Sequence, residues 1–342
     1  MRIMAETRTQ SYADGAIYDY EERTVSWTNG AGGYFAPPLW IIEQFAVQPT
    51  PERVLSRLAP VFDLPEGAQS VNLPRLTTGP EVGLTQVGAP AVSRDDADFA
   101  VSSAVATIAG NFDVPMQMLE QSPQGAHLDW VAFTAMEARY GYKLELQLIN
   151  GVGATTPQGS GNNQLLGILN NTAIPTANVI TYTDATPTAA KLIQVQSSPT
   201  TGGAIPQMIA QIGNNRFIPP EFWLMTTSRA AWIAQGEISM FPLAVSNQTG
   251  PGKFDLLAYP VEQDDAIPVN LGAGANQDTI ICVRPTDWLI CESEPKTNVF
   301  TDVLSGTLQA RLQYRRYVAA LLREPTSVAY VTGTGMVVQS GF

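Results

Sequence analysis

The chain has 342 residues, 44% of them hydrophobic and 15% charged, with a formal net charge of −12. That balance excludes a solvated, disordered polypeptide, and 25 prolines with 28 glycines favour short strands and turns over a helical bundle. With 31 acidic residues against 19 basic ones and no Lys/Arg run, tight phosphate binding is excluded; a negative wall can still enclose nucleic acid that stays mobile.

Residues Met1 to Gly30 are polar, mixed in charge and without periodicity, which reads as an arm that lies on another surface through Tyr18, Tyr20 and Trp27. No signal peptide opens the chain and no apolar run nears the roughly 20 residues of a membrane helix, so a cytosolic origin without a membrane partner is expected. The compact body begins with GGYFAPPLWIIEQF, Gly32 to Phe45. From Asp63 to Asp113 polar and apolar residues alternate, placing Val71 and Leu73 in one strand and Phe99, Val101 and Val105 in a second. The long tip between them carries Arg94, Asp95, Asp96 and Asp98. A hairpin with so little to pack on is an exposed edge that calls for a covering partner.

Ser122 to Gly151 reads as one amphipathic helix of roughly 40 Å, with Ser122 as N-cap, Pro123 in the first turn and Asn150-Gly151 as a left-handed stop. Its apolar residues form two stripes. One is Leu128, Val131, Ala135, Ala138, Tyr142, Leu146 and Ile149; the other is Phe133, Met136, Tyr140, Leu144 and Leu148. Either both stripes meet the subunit's own sheet, or one helps to form a subunit contact. His127, the sole histidine, stands in the first turns and reads as a surface residue rather than a member of a catalytic triad.

The glycine-rich loop from Gly151 to Gly167 follows a helix and lacks a P-loop lysine, so it reads as a linker. A mixed domain follows: strand NVITYT, a helix with Ile205, Met208, Ile209 and Ile212, strand FWLMT, and helix RAAWIAQ, capped by Thr227 or Ser228 and stopped at Gly236. Strand LLAYPVEQ precedes Asp264-Asp265, which with Glu262 forms a carboxylate cluster. This cluster, like Asp95, Asp96 and Asp98, lacks EF-hand spacing and reads as solvated turns or salt-bridge partners. Cys282 and Cys291 could approach across a hairpin, and read as buried, reduced thiols. The segment TLQARLQYRRYVAALL reads as a strand, although a helix fits part of it almost as well. As a strand it places Leu308, Ala310, Leu312, Tyr314 and Arg316 on one face and Gln309, Arg311, Gln313, Arg315 and Tyr317 on the other. Arg311, Arg315 and Arg316 suit ionic contact with acidic loops of a neighbouring subunit or an ordinary solvated face equally well. No residue is assigned a catalytic, cofactor or metal role.

The order of these pieces carries a resemblance: GGYFAPP after a polar arm, the long hairpin, the helix ending in INGVG, LLGILN, PEFWLMTTSRAAWIAQ, YPVEQDDAIP and ARLQYRRYVAALLREPTSVAYV. From Gly32 onward the chain resembles the major capsid proteins of tailed bacteriophages, the HK-ninety-seven fold. The resemblance implies an α+β subunit with an N-terminal arm (1–31), an extended β-hairpin loop (62–112) and an axial mixed α/β domain (151–299). The peripheral domain would comprise 32–61, 113–150 with its long spine helix, and the C-terminal strands of 300–342. It further implies pentamers and hexamers of an icosahedral head around double-stranded DNA, assembled in the host bacterial cytoplasm. The further partners it suggests are a separate scaffolding protein, since only a short arm precedes Gly32, together with a portal and a decoration protein. Some members crosslink through a lysine in the extended loop. Here the lysines are Lys143, Lys191, Lys253 and Lys296, all outside it, so a shell without that bond is expected. Encapsulin nanocompartments share the fold. A reading of another class is an acidic hydrolase using Asp264-Asp265 or Asp95-Asp96.

Overall fold

The computed structural model describes residues 49–93, 95, 97–121, 125–153, 164–194, 203–240, 245–247 and 254–338. A single helical turn, α1 (Leu55–Leu58), leads into the short strand β1 (Val61–Asp63). Strands β2 (Ser70–Thr78) and β3 (Ala97–Ala104) then form a two-stranded antiparallel ribbon, with Leu73 opposite Val101 and Arg75 opposite Phe99. Strand β4 (Ala106–Pro115) follows across Val105, which is buried and whose N–H donates to the carbonyl of Gln69 at 3.0 Å. Val105 is therefore the root of the ribbon, between two strands, rather than part of its second strand.

A short helix, α2 (Met116–Gln121), precedes α3 (Gly125–Asn150), whose 26 residues span roughly 39 Å. The expected caps Ser122 and Pro123 lie outside the described residues. At the other end the left-handed stop is not at Gly151: the positive φ falls on Gly153, at 83°. Gly151 serves close approach instead, because a Cβ there would stand 2.1 Å from the carbonyl oxygen of Leu165. Its N–H still closes the helix onto Gln147, and its carbonyl accepts from Gly167, each at 2.9 Å. Of the two apolar stripes, Tyr140, Leu144 and Leu148 of one and Ile149 of the other are buried, while Phe133 and Met136 are half-buried. Val131, Ala135, Ala138, Tyr142 and Leu146 are only half-buried.

The mixed region contains β5 (Val179–Thr181), α4 (Ala189–Ile193), α5 (Ala204–Arg216), β6 (Phe222–Met225) and α6 (Thr227–Met240). Helix α6 continues through Gly236 rather than stopping there. Its cap is Thr226, whose Oγ1 accepts the N–H of Arg229 at 3.2 Å, rather than Thr227 or Ser228. Next come β7 (Val245–Asn247), β8 (Phe254–Leu256) and β9 (Tyr259–Gln263). The segment expected as one strand, LLAYPVEQ, is thus a hairpin, reversed at Leu257 (φ 52°) and Ala258 (φ 66°), a two-residue turn with both central residues left-handed. The remaining strands are β10 (Ile281–Val283), β11 (Trp288–Glu292), β12 (Lys296–Leu304), β13 (Gln309–Leu322) and β14 (Val328–Thr332).

Seven strands form one sheet in the order β5-β14-β10-β6-β9-β8-β7. The five-stranded sheet is organised on β13. Strand β4 runs along one side of it, from Gln309 to Val318, while β12 and then β11 share the other, with β1 outside β11. Strand order along the chain does not reveal this partition. β14 belongs to the seven-stranded sheet and β11 to the five-stranded one, so the sheets do not part at residues 299 and 300. The segment carrying β13 is a strand, not a helix, with Ala310, Leu312 and Tyr314 buried on one face. Leu308, left-handed at φ 52°, is exposed and lies off that face.

One apolar core joins Leu144, Leu148 and Ile149 of α3 to both sheets through Leu224, Ile281, Trp288 and Ile290. A second, around Ile205, Met208, Trp223 and Met225, packs α5 and α6 onto the larger sheet, where the Trp223 indole donates to the Leu256 carbonyl at 3.0 Å. Cys282 and Cys291 are free and buried, but in different sheets rather than across a hairpin. Burial pushes the Cys282 thiol well up. Among the described residues no helix is long and apolar enough to cross a membrane.

Candidate assembly surfaces

The ribbon and its tip carry a run of exposed apolar residues. Phe99 is 61% exposed, Leu76 62%, and Val82, Leu84 and Val87 in the tip are fully exposed. Apolar residues exposed in this way along a two-stranded sheet and the loop that joins its strands find no burial within their own subunit. The ribbon is nevertheless anchored partway along. Arg75 in β2 reaches Glu324, in the link between β13 and β14, at 2.6 Å. Of the tip residues singled out in the sequence, Asp95 and Asp98 are exposed, Asp98 standing opposite Leu76. Arg94 and Asp96, like Tyr18, Tyr20 and Trp27, lie outside the described residues, and nothing is described of the His127 side chain.

The three arginines of β13 separate by strand alternation. Arg311 makes a two-point bond to Asp113 of β4, at 2.8 and 3.0 Å, and holds that carboxyl below its usual range. Arg315 stands opposite Lys296 in β12 and donates to Gln313 at 3.3 Å, while Lys296 turns to Glu66 at 2.6 Å. Arg316 points to the other face and is consumed inside the subunit. It lies 3.1 Å from Glu292, donates to the Ser293 carbonyl at 2.7 Å and covers the Tyr140 ring at 5.2 Å. Arg53 also pairs with Glu292, and the Tyr140 hydroxyl donates to it at 3.2 Å. The network fastens α3 to β11, and burial followed by the neighbouring Glu292 charge pushes the tyrosine's ionisation well up.

The carboxylate cluster after β9 disperses. Glu262 pairs with Arg57 at 3.5 Å, and Asp265 accepts both the N–H and the hydroxyl of Thr227 at 2.9 Å. Asp264 is buried, and burial together with Glu145 of α3 pushes its carboxyl up to about 8. These groups therefore do not converge as the hydrolase reading requires, and among the described residues no cluster of His, Cys, Asp and Glu could hold a metal ion. Sequence reasoning missed Glu145, which is fully buried between Leu144 and Leu146. It also missed the ion pair of Arg229 with Asp278, at 2.6 Å, with the two side chains 1% and 2% exposed. Arg229 also donates to the carbonyls of Met336 and Val337 at 3.1 Å and lies 4.8 Å over Trp232.

Solved structures similar to this one include a capsid and an encapsulin. The capsid of a native GTA particle superposes with a TM-score of 0.62 at 16% identity, over 90% of this chain and 98% of that one. A chain of Mycobacterium phage Bobi gives 0.57 at 14% identity, over 91% and 99%. The SrpI encapsulin of Synechococcus elongatus gives 0.58 at 12% identity, over 92% and 98%. No curated protein matches the sequence. At such identities the likeness establishes the HK-ninety-seven fold, and the sequence itself decides among its users. The model of the phage capsid family matches residues 32–328, and the chain belongs to that family.

Proposed function

We propose that the chain is the major capsid subunit of a phage head and that its ribbon closes the shell, each copy covering a neighbour's exposed tip. The carrying observation is the full exposure of Val82, Leu84 and Val87 on an element with no cover of its own. Burying three such side chains contributes about 1.5–3 kcal/mol each before the costs of association, repeated at every subunit. Pentamers and hexamers around double-stranded DNA are the assembly this reading requires. The seven-stranded sheet is the axial domain that meets its copies at the capsomer centre, and the five-stranded sheet with α3 is the peripheral domain. The arm residues Tyr18, Tyr20 and Trp27, the tip residues Arg94, Asp95, Asp96 and Asp98, and Arg311 with Arg315 are its further contacts. The internal network around Glu292 removes Arg316 from that set. Scaffolding and portal proteins, and a decoration protein on the finished head, complete the assembly in the host cytoplasm.

The encapsulin neighbour favours a second reading, a shell around protein cargo. Electron microscopy of the expressed chain tests both. Wild type should form closed shells, and Leu84→Asp with Val87→Asp should leave folded, unassembled subunits. Shells of the double variant at wild-type yield would overturn the role of the ribbon. DNA within shells recovered from infected cells, rather than a protein cargo, separates phage head from encapsulin.

A further inference from the structure

The joint between α3 and the seven-stranded sheet buries two carboxyl groups, the charge of one, Glu145, acting on the other, Asp264. Glu145 is fully buried on α3, and Asp264, 1% exposed, opens the turn after β9. The Glu145 carboxylate is held by α1. Its Oε1 accepts the N–H of Leu55, and its Oε2 accepts the N–H of Ser56 at 3.2 Å and the Ser56 hydroxyl at 2.8 Å. Asp264 accepts the N–H of Ala266 on Oδ1 at 2.9 Å, while its buried Oδ2 meets no donor. A buried carboxylate oxygen without a donor is costly, and a second negative charge beside Glu145 is costlier. A proton on Oδ2, donated to Glu145, removes both costs.

We propose that the buried Asp264 carries a proton, donates it to Glu145 and so forms a proton-dependent latch that holds α1, the spine helix and the β9 turn together. Charged neighbours do not replace that proton. Arg53 is engaged by Ser56 and Glu292, Arg57 points to Glu262, and Asp265, bound to Thr227, adds negative charge. When the latch opens, Asp264 meets water and ionises at an ordinary carboxylate value of about 4. When it is closed, that value is about 8. The closed state therefore holds one more proton between these limits. Its advantage is complete below about pH 4, shrinks about tenfold per pH unit as the pH rises, and is exhausted above about pH 8.

Amide hydrogen exchange on the full-length protein, in one assembly state, reads this directly. Protection at Leu55, Ser56 and Ala266, after correction for intrinsic exchange, should fall about hundredfold from pH 5 to pH 7 in wild type. In Asp264→Asn, an isostere of the protonated acid, it should change less than threefold. Equal pH dependence in the two proteins, or none in wild type, overturns the latch. Infrared spectroscopy of wild type decides the case even if the variant fails to fold. An un-ionised carboxyl band present at pH 6 and gone by pH 9.5 supports the proton on Asp264, and its absence at pH 6 overturns it.

Discussion

Arg229 shows how much of this molecule rests on single side chains. Its guanidinium donates to Asp278 out of water and to two carbonyls beyond β14. Removing one partner of a buried pair strands the other charge. Arg229→Ala should therefore destabilise by about 3–5 kcal/mol, whereas Arg311→Ala, on an exposed pair, should cost far less. Urea unfolding of both variants checks the contrast, and equal losses would contradict it. Neither Arg229 nor Glu145 was legible as buried in the sequence. A lone acidic residue such as Glu145 is ordinarily expected at the surface, although its helical neighbours Gly141, Tyr142, Leu148 and Ile149 are apolar or glycine. What reverses it is the N-terminus of α1 arriving from about 90 residues away to supply three donors. By contrast, the alternation along β13 correctly separated Arg311 and Arg315 from Arg316, because strand geometry is local.

At the scale of elements, long periodic patterns were readable and their endings were not. The spine helix follows from its apolar spacing alone, but Gly151 ends it through contact with Leu165, which no local rule contains. Gly151→Ala should cost about 1–3 kcal/mol by overpacking against that carbonyl. Gly213→Ala, within α5 and facing open space, should instead stabilise by about 0.5–1 kcal/mol. Thermal melting of the two variants should move in opposite directions, and a parallel shift would show that close approach is not what Gly151 provides. The β8–β9 hairpin escaped notice because Leu257 and Ala258 take left-handed angles usually marked by Asn-Gly. Gly236 misled in the opposite sense, since the contacts of α6 carry it past a residue that only weakly disfavours helix.

For the whole molecule, the ribbon was the clearest feature in the sequence, because it must alternate whether or not anything covers it. Which strands share a sheet was not readable, since β13 and β14 are sequence neighbours that part company after Leu322. The positions of the lysines carry one consequence for the particle. Lys143 is exposed on α3, Lys191 pairs with Asp184 at 2.7 Å, Lys296 pairs with Glu66, and Lys253 follows in sequence long after the ribbon. Denatured particles should therefore yield the subunit as monomer alone, and a ladder of multiples by gel or mass analysis would show a covalent bond formed by other means. β13 matters differently again. Its hydrogen bonds run crosswise to its length and clasp it from both flanks between Gln309 and Arg315. Tension along this strand would load those bonds together in shear rather than peel them one at a time. A wall built on such a girder resists stretching when its contents push outward.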